Sequence, residues 1–156
     1  MYITIVIYKI DKTVDFRELK IIIIDTGAAN VHSVNKAVIK AGADPCISKN
    51  KIDLRNSDAV ILPGVGSSNS VMQSLKSLDL IEEIKLYAKS GKPLLCICVG
   101  MQVLFDRSDE GDTNCLGIIK GEVKKFPENM KNENNRKMKI PHIGWNKIKI
   151  FHKKHK

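Results

Sequence analysis

The chain has 156 residues, 43% apolar and 28% charged, which suits one domain with a hydrophobic core. No apolar run reaches the roughly 20 residues of a membrane-spanning helix, and the apolar start lacks the basic leader and cleavage site of a signal peptide. Four cysteines without metal-ligand spacing to histidines predict free thiols, a cytoplasmic protein and no metal site.

The net charge of +9 is concentrated at one end of the chain. Residues 136–156 carry eight lysines and arginines and no acidic residue, while the other 135 residues carry 18 basic and 17 acidic side chains. Such a segment can bind nucleic acid or an acidic partner, but it is more often a solvated end. Trp145 and Phe151 are the only aromatic residues there that could stack on bases, so we expect no nucleic-acid partner.

Strand-like and helix-like patterns alternate along the chain. Residues 2–8 resemble a strand, although the sequence does not indicate a function for this N-terminal segment. The β-branched run at 20–25 is typical of a strand buried on both faces of a parallel sheet. An apolar stripe from Val31 to Ala41 predicts a helix that ends at Gly42. The remaining predicted strands are 44–48, 59–62 and 94–97, and the remaining predicted helices are 67–78, 80–88 and 100–105.

The later part of the chain is less regular. Polar loops are predicted at 106–114 and 127–137. Short strand-like pieces lie at 121–126, 139–143 and 146–151. The alternation of strands and helices predicts an α/β fold with a doubly wound, mostly parallel sheet.

Cys98 is the strongest candidate for a functional side chain. An apolar strand runs into it, and a turn of small residues leads from it into a helix. This is how a nucleophile is presented at the top of a parallel sheet, where the free N–H groups of a helix start favour a thiolate. The alternative is that Cys98 is a small core residue.

Two other segments are expected to meet Cys98, because ligands of such sheets bind at the carboxyl ends of the strands. They are residues 25–27 and the glycine-rich residues 63–66. The backbone N–H groups of Gly64 to Gly66 could face a developing oxyanion, and a thiolate opposite them forms an acyl-transfer site that works through a thioester. The alternative for 63–66 is a tight connection.

Such a site also needs a base, normally a histidine oriented by a carboxylate. The spacing does not pair any histidine with a carboxylate at a strand end. The histidines are His32, His142, His152 and His155.

Five blocks of sequence appear in a familiar order. They are 25–30 (DTGAAN), 63–66 (PGVG), 96–102 (CICVGMQ), 116–119 (LGII) and 141–146 (PHIGWN). Together they resemble the class I, or triad, glutamine amidotransferases, and within these the amidotransferase subunits of imidazole glycerol phosphate synthase. The resemblance covers roughly residues 20 to 147.

The resemblance implies that Cys98 attacks the side-chain amide of glutamine and that the backbone of Gly64 and Val65 forms the oxyanion hole. It implies that Gln102 and Glu110 hold glutamine, with a carboxylate suited to the α-amino group. Ammonia would pass to a cyclase subunit with a (β/α)8-barrel fold, and the two subunits would form a heterodimer that acts in histidine biosynthesis. The resemblance implies no cofactor. Residues that would lie toward this partner are Asn30, His142, Trp145 and Asn146.

Three departures from the family accompany the resemblance. Cys96 stands where the family usually has glycine, and residues 1–20 precede the usual start. The family's His-Pro-Glu segment, some fifty residues beyond the Trp-Asn block, has no counterpart here. We therefore expect an extension at 1–20, an amidotransferase domain at 20–151 without its C-terminal strands and helix, and a basic tail at 152–156.

These departures leave alternatives for the function. We expect this chain alone to hydrolyse glutamine slowly or not at all, because members of a triad act as a unit. A non-catalytic fragment or a binding module is one alternative. Another is a related amidotransferase that supplies ammonia for surface-sugar synthesis.

Overall fold

The structure, a computed structural model, describes residues 17–27, 29–127, 129–131, 135 and 137. The strand-like pieces expected at 2–8, 139–143 and 146–151 lie outside these residues. So do His142, Trp145 and Asn146.

Four strands and five helices alternate in the order expected of an α/β fold, and three very short strands follow. The strands are β1 (Ile21–Ile24), β2 (Pro45–Ser48), β3 (Ala59–Gly64), β4 (Leu94–Cys98), β5 (Arg107–Ser108), β6 (Thr113–Asn114) and β7 (Glu122–Val123). The helices are α1 (Val31–Lys40), α2 (Lys51–Arg55), α3 (Ser68–Ser77), α4 (Ile81–Lys89) and α5 (Val99–Gln102).

The main sheet is parallel throughout and has the order β2-β1-β3-β4. This confirms the predicted fold class. The chain moves from β1 outward to β2, then returns past β1 to β3 and β4, so its direction reverses between β1 and β3. The carboxyl ends of those two strands therefore flank the crevice in which sheets of this kind bind ligands.

The sheet has a hydrophobic core on each face. Ile22, Ile23 and Ile24 of β1 are fully buried, and each contributes roughly 1.5–3 kcal/mol by leaving water. Because side chains alternate along a strand, Ile22 and Ile24 join the larger cluster, with residues of α3 and α4. Ile23 joins a smaller cluster against Val31, Val34 and Val38, which confirms most of the predicted stripe on α1.

Three details differ from the sequence expectation. Helix α2 was not predicted, and its five residues are held by the Asn50 cap at one end and by ion pairs to later residues. Helix α5 ends at Gln102 rather than at Phe105. The predicted polar loop 106–114 contains β5 and β6, which form a second sheet with β7 in the order β6-β5-β7. Strands of two residues carry too little hydrophobic pattern to be recognised in a sequence.

The chain divides into two compact units, Met1–Val123 and Lys124–Lys156. The first contains both sheets and all five helices described above. In the second, the described residues include one isolated antiparallel bridge between Lys131 and Lys137. No helix in the described part of the chain is long and apolar enough to cross a membrane.

Candidate active site

Cys98 lies at a sharp turn between β4 and α5. It is the last residue of the strand, it precedes the first residue of the helix, and its backbone has φ 56° and ψ −115°. A residue other than glycine rarely adopts this backbone conformation. The strain costs about 1–3 kcal/mol and persists only where the surrounding structure enforces it. Cys98 is exposed. The strand-to-helix turn that the sequence predicted at Cys98 is present, and in addition it is strained; turns of this kind can present a nucleophile.

The structure distinguishes Cys98 from the other three thiols. Cys96 is buried, and burial raises the pKa of its thiol to about 12, so it stays protonated and unreactive near neutral pH. Burial also raises the pKa of Cys115. Cys46 is exposed, but it lies on β2, at the opposite edge of the sheet from β4. Cys98 is thus the exposed thiol at the carboxyl end of β4, beside the end of β3.

The glycine-rich segment after β3 touches this turn through its backbone. Gly64 pairs with Cys98 at the last step of the β3–β4 ladder. A Cβ atom added to Gly64 would lie 2.6 Å from the Gly100 nitrogen, and one added to Gly100 would overlap the Leu62 carbonyl oxygen. Glycine is required at both positions because two backbones approach closely there. The sequence had identified both segments, and the structure brings them into contact.

Val65 and Gly66 continue this segment beyond the strand. Val65 is about half exposed, and Gly66 has φ 85°, which favours glycine. The Val65 N–H makes no hydrogen bond to another described residue. An N–H without a partner in this part of the chain, one residue from the Gly64–Cys98 pair, fits the expected oxyanion-binding group.

Glu110 is brought to the same region by contacts distant in sequence. It is exposed, on the turn between β5 and β6, and its carboxylate Oε2 accepts a hydrogen bond of 3.1 Å from the Ser68 N–H. Ser68 is the first residue of α3, four residues after Gly64. An anionic side chain at this place can bind a cationic ligand group beside the glycine segment.

Ser68 and Ser108 support Glu110, and sequence reasoning did not identify either. Both are completely buried. The Ser108 hydroxyl oxygen accepts hydrogen bonds from the Glu110 N–H, at 3.3 Å, and from the Ser68 hydroxyl, at 3.2 Å. Serines in polar stretches give no signal in a single sequence, so only the fold reveals this pair.

The other expected site residues have different environments. Gln102 is the last residue of α5, one helical turn after Cys98, and is half-buried. Asn30 caps α1, since its side chain accepts a hydrogen bond of 3.1 Å from the Ser33 N–H. In the described residues no group of His, Cys, Asp and Glu could hold a metal ion.

One cavity of about 370 Å³ lies elsewhere. It is lined by Lys85, Ala88 and Lys89 of α4 and by residues 116–118, and it includes none of the candidate site residues. The backbone N–H groups of 116–118 all donate within the fold, which leaves the cavity without free donors from that segment. This cavity is therefore separate from the candidate site residues at the carboxyl end of the sheet.

A parallel α/β sheet with a cysteine on a strained strand-to-helix turn is typical of enzymes that use a thiol nucleophile. Comparison with known proteins identifies the family. The family model described as "Glutamine amidotransferase class-I" matches residues 22–155. The chain therefore belongs to the class I glutamine amidotransferase family. A crystal structure of a glutamine amidotransferase has the same fold, with a TM-score of 0.58 and 18% identity over 66% of this chain and 55% of that one.

Two curated relatives are more similar in sequence. "Imidazole glycerol phosphate synthase subunit HisH" of Trichormus variabilis is 46% identical over 128 residues, covering 82% of this chain and 58% of the relative. The protein of the same name from Prochlorococcus marinus subsp. pastoris is 44% identical over 126 residues, covering 81% and 58%. The chain thus spans about 58% of the length of these relatives.

Proposed function

We propose that the protein is the glutaminase subunit of an imidazole glycerol phosphate synthase. Family membership and the names of its relatives support this proposal. The observation that carries it is the exposed Cys98 on its strained turn, paired with Gly64. Glu110, which is bonded to Ser68 just after the glycine segment, would supply the negative charge that binds a substrate α-ammonium group.

In the proposed reaction the Cys98 sulfur attacks the side-chain carbonyl carbon of glutamine and forms a C–S bond. The oxyanion that results is stabilised by backbone N–H groups of the Gly64–Val65 segment. When it collapses, the C–N bond breaks, and the nitrogen leaves as ammonia with the proton that came from the thiol. Water then cleaves the thioester, so that glutamine and water become glutamate and ammonia and the Cys98 thiol is restored.

Proton transfer in this reaction needs a base. His32 is the histidine within the described residues, and it lies on an exposed face of α1, two strands away from β4. No hydrogen bond in this part of the chain joins it to Cys98. We therefore assign the base to a group outside the described residues.

The ammonia would pass to a cyclase subunit with a (β/α)8-barrel fold. That subunit would carry out the lyase part of the synthase reaction. The two subunits would form a heterodimer in the cytoplasm, where the four free cysteines would stay reduced. Gln102 would hold glutamine together with Glu110. The surface that faces the cyclase would include Asn30, His142, Trp145 and Asn146.

The test is glutamate release by the full-length protein, measured with and without the cyclase subunit. We expect turnover with the cyclase and a loss of at least about a thousandfold in Cys98→Ala. Cys46→Ala, which removes the other exposed thiol, is the matched control and should keep wild-type turnover. Turnover that survives Cys98→Ala contradicts the mechanism, and a wild-type complex without any turnover favours a binding module instead.

A further inference from the structure

We propose that Ser68 and Ser108 are positioning residues that fix Glu110 relative to the glycine segment of 64–66. The inference rests on the proposed function, since it concerns how the substrate's α-ammonium group is placed. It assigns a role to two buried hydroxyl groups that neither bind the substrate nor touch Cys98.

The three residues are joined in a closed ring of hydrogen bonds. The Ser68 N–H donates to Glu110 Oε2 at 3.1 Å, the Glu110 N–H donates to Ser108 Oγ at 3.3 Å, and the Ser68 hydroxyl donates to Ser108 Oγ at 3.2 Å. The ring connects residues that are 40 and 42 positions apart in the sequence. Two connections therefore fix the position of Glu110 relative to Ser68. One is the direct bond to its carboxylate, and the other runs from its N–H through the Ser108 hydroxyl.

Burial makes this arrangement specific. Both serines are completely inaccessible to water, and a buried hydroxyl that loses its partner has no solvent to replace it. The ring is therefore favoured over any arrangement in which the two segments slide apart. Glu110 itself is exposed, and Oε2 is the oxygen that Ser68 occupies, which leaves Oε1 for a ligand cation.

The glycine segment is attached at both ends. Gly64 is bound to the Cys98 turn through the β3–β4 ladder. At the other end Ser67 and Ser70 form a reciprocal capping box that fixes the first turn of α3, where Ser68 lies. Because Ser68 also holds Glu110, the distance between the ammonium-binding oxygen and the oxyanion-binding backbone is set by this ring. Glutamine must match that distance to place its amide at Cys98.

The experiment compares two reagents that alkylate Cys98 in the full-length protein. One is the chloroketone analogue of glutamine, which carries the α-ammonium group, and the other is iodoacetamide, which does not. Intact-mass spectrometry gives the labelling rate at each concentration. In Ser108→Ala we expect the half-saturating concentration of the chloroketone to rise about tenfold, while its maximal rate and the iodoacetamide rate stay unchanged.

Further serine variants should weaken chloroketone binding to different degrees. Ser68→Ala keeps the backbone N–H to Glu110 and removes only the hydroxyl, so its effect should be smaller than that of Ser108→Ala. Ser108→Thr keeps a hydroxyl and should recover part of the loss. The matched control is Ser77→Ala at the far end of α3, where the hydroxyl donates to the Ser74 carbonyl, and it should change neither reagent.

The outcomes separate this inference from the proposed function. The inference is overturned if Ser108→Ala leaves the half-saturating concentration unchanged, or if the iodoacetamide rate falls in parallel, which indicates general disorder of the site. The proposed function fails if wild-type labelling by the chloroketone does not saturate and Glu110→Gln has no effect. If wild-type labelling saturates and is weakened by Glu110→Gln but not by Ser108→Ala, the inference is wrong and the proposed function still stands.

Discussion

The Cys98 turn and the Glu110 turn, which we assign to one proposed site, are built differently. The first is held by contacts between backbones, with glycine at 64 and 100 and a strained φ at Cys98. The second lies between strands of two residues and is held by hydrogen bonds that backbone N–H groups donate to side-chain oxygens. The proposed nucleophile is therefore held by close contact between backbones, whereas the backbone of Glu110 is held by a hydrogen bond to the Ser108 hydroxyl, which a single substitution can remove.

The largest effect is expected at Gly100. In Gly100→Ala the new methyl group would overlap the Leu62 carbonyl oxygen, and Leu62 is held in place by its pairing with Cys96 in the β3–β4 ladder. We expect a loss of about 3 kcal/mol or more in the free energy of unfolding, measured by urea denaturation. Gly42→Ala is the control, since its Cβ would meet nothing within 4 Å and only the φ of 94° is unfavourable. An equal loss in both variants would show that backbone contact does not hold the turn.

The strain at Cys98 itself should be measurable by comparing two substitutions. Cys98→Gly relieves the φ of 56°, whereas Cys98→Ala keeps it, and glycine otherwise costs more conformational entropy. We expect Cys98→Gly to be more stable than Cys98→Ala by about 1 kcal/mol in thermal unfolding. The same pair at Cys96, in the regular part of β4, should give the opposite order. If both positions favour alanine, the turn is not strained.

Alkaline pH tests the buried thiol beside the turn. The folded pKa of Cys96 is about 12 against an ordinary value of 9.0, so the unfolded chain releases this proton first. Its contribution to stability is complete below pH 9 and is lost as the pH rises toward 12, by up to about 1.4 kcal/mol per pH unit. Melting temperatures between pH 8 and pH 11 should therefore fall less steeply in Cys96→Ala than in the wild type. Parallel curves would contradict this origin of the pH dependence.

The smallest effect is expected at Asp106, just before β5. Its carboxylate accepts hydrogen bonds from Lys120 and from the Gly121 N–H. The Gly121 N–H and then Lys120 lower the pKa of this carboxyl group. Its contribution is present above the ordinary carboxyl range and is lost as the pH falls through the lowered value. Asp106→Asn should thus melt slightly below the wild type at neutral pH, since an exposed carboxylate contributes little, and it should lose less stability on acidification. Asp44→Asn, on an exposed loop, serves as the control, and an acid profile shared by all three proteins would rule out this role.

Much of the fold could be predicted from local sequence. The β-branched run of β1, the apolar stripe of α1 and the strand that ends at Cys98 each carry a period or a stop signal within about ten residues. Helix α2 and the strands β5 and β6 were missed because such short elements have little pattern of their own. They are held by partners far along the chain, such as Glu83 for Arg55 and Val123 for Asp109.

The candidate site divides in the same way. The sequence by itself determined which thiol ends a strand and which glycines lie at a neighbouring strand end, because both are local patterns at fixed distances from apolar runs. Tertiary structure alone decided that Gly64 and Gly100 touch, that Cys98 is strained and that Ser68 and Ser108 hold Glu110. The physical reason is that contacts between residues forty positions apart depend on strand order and packing, which no local period encodes.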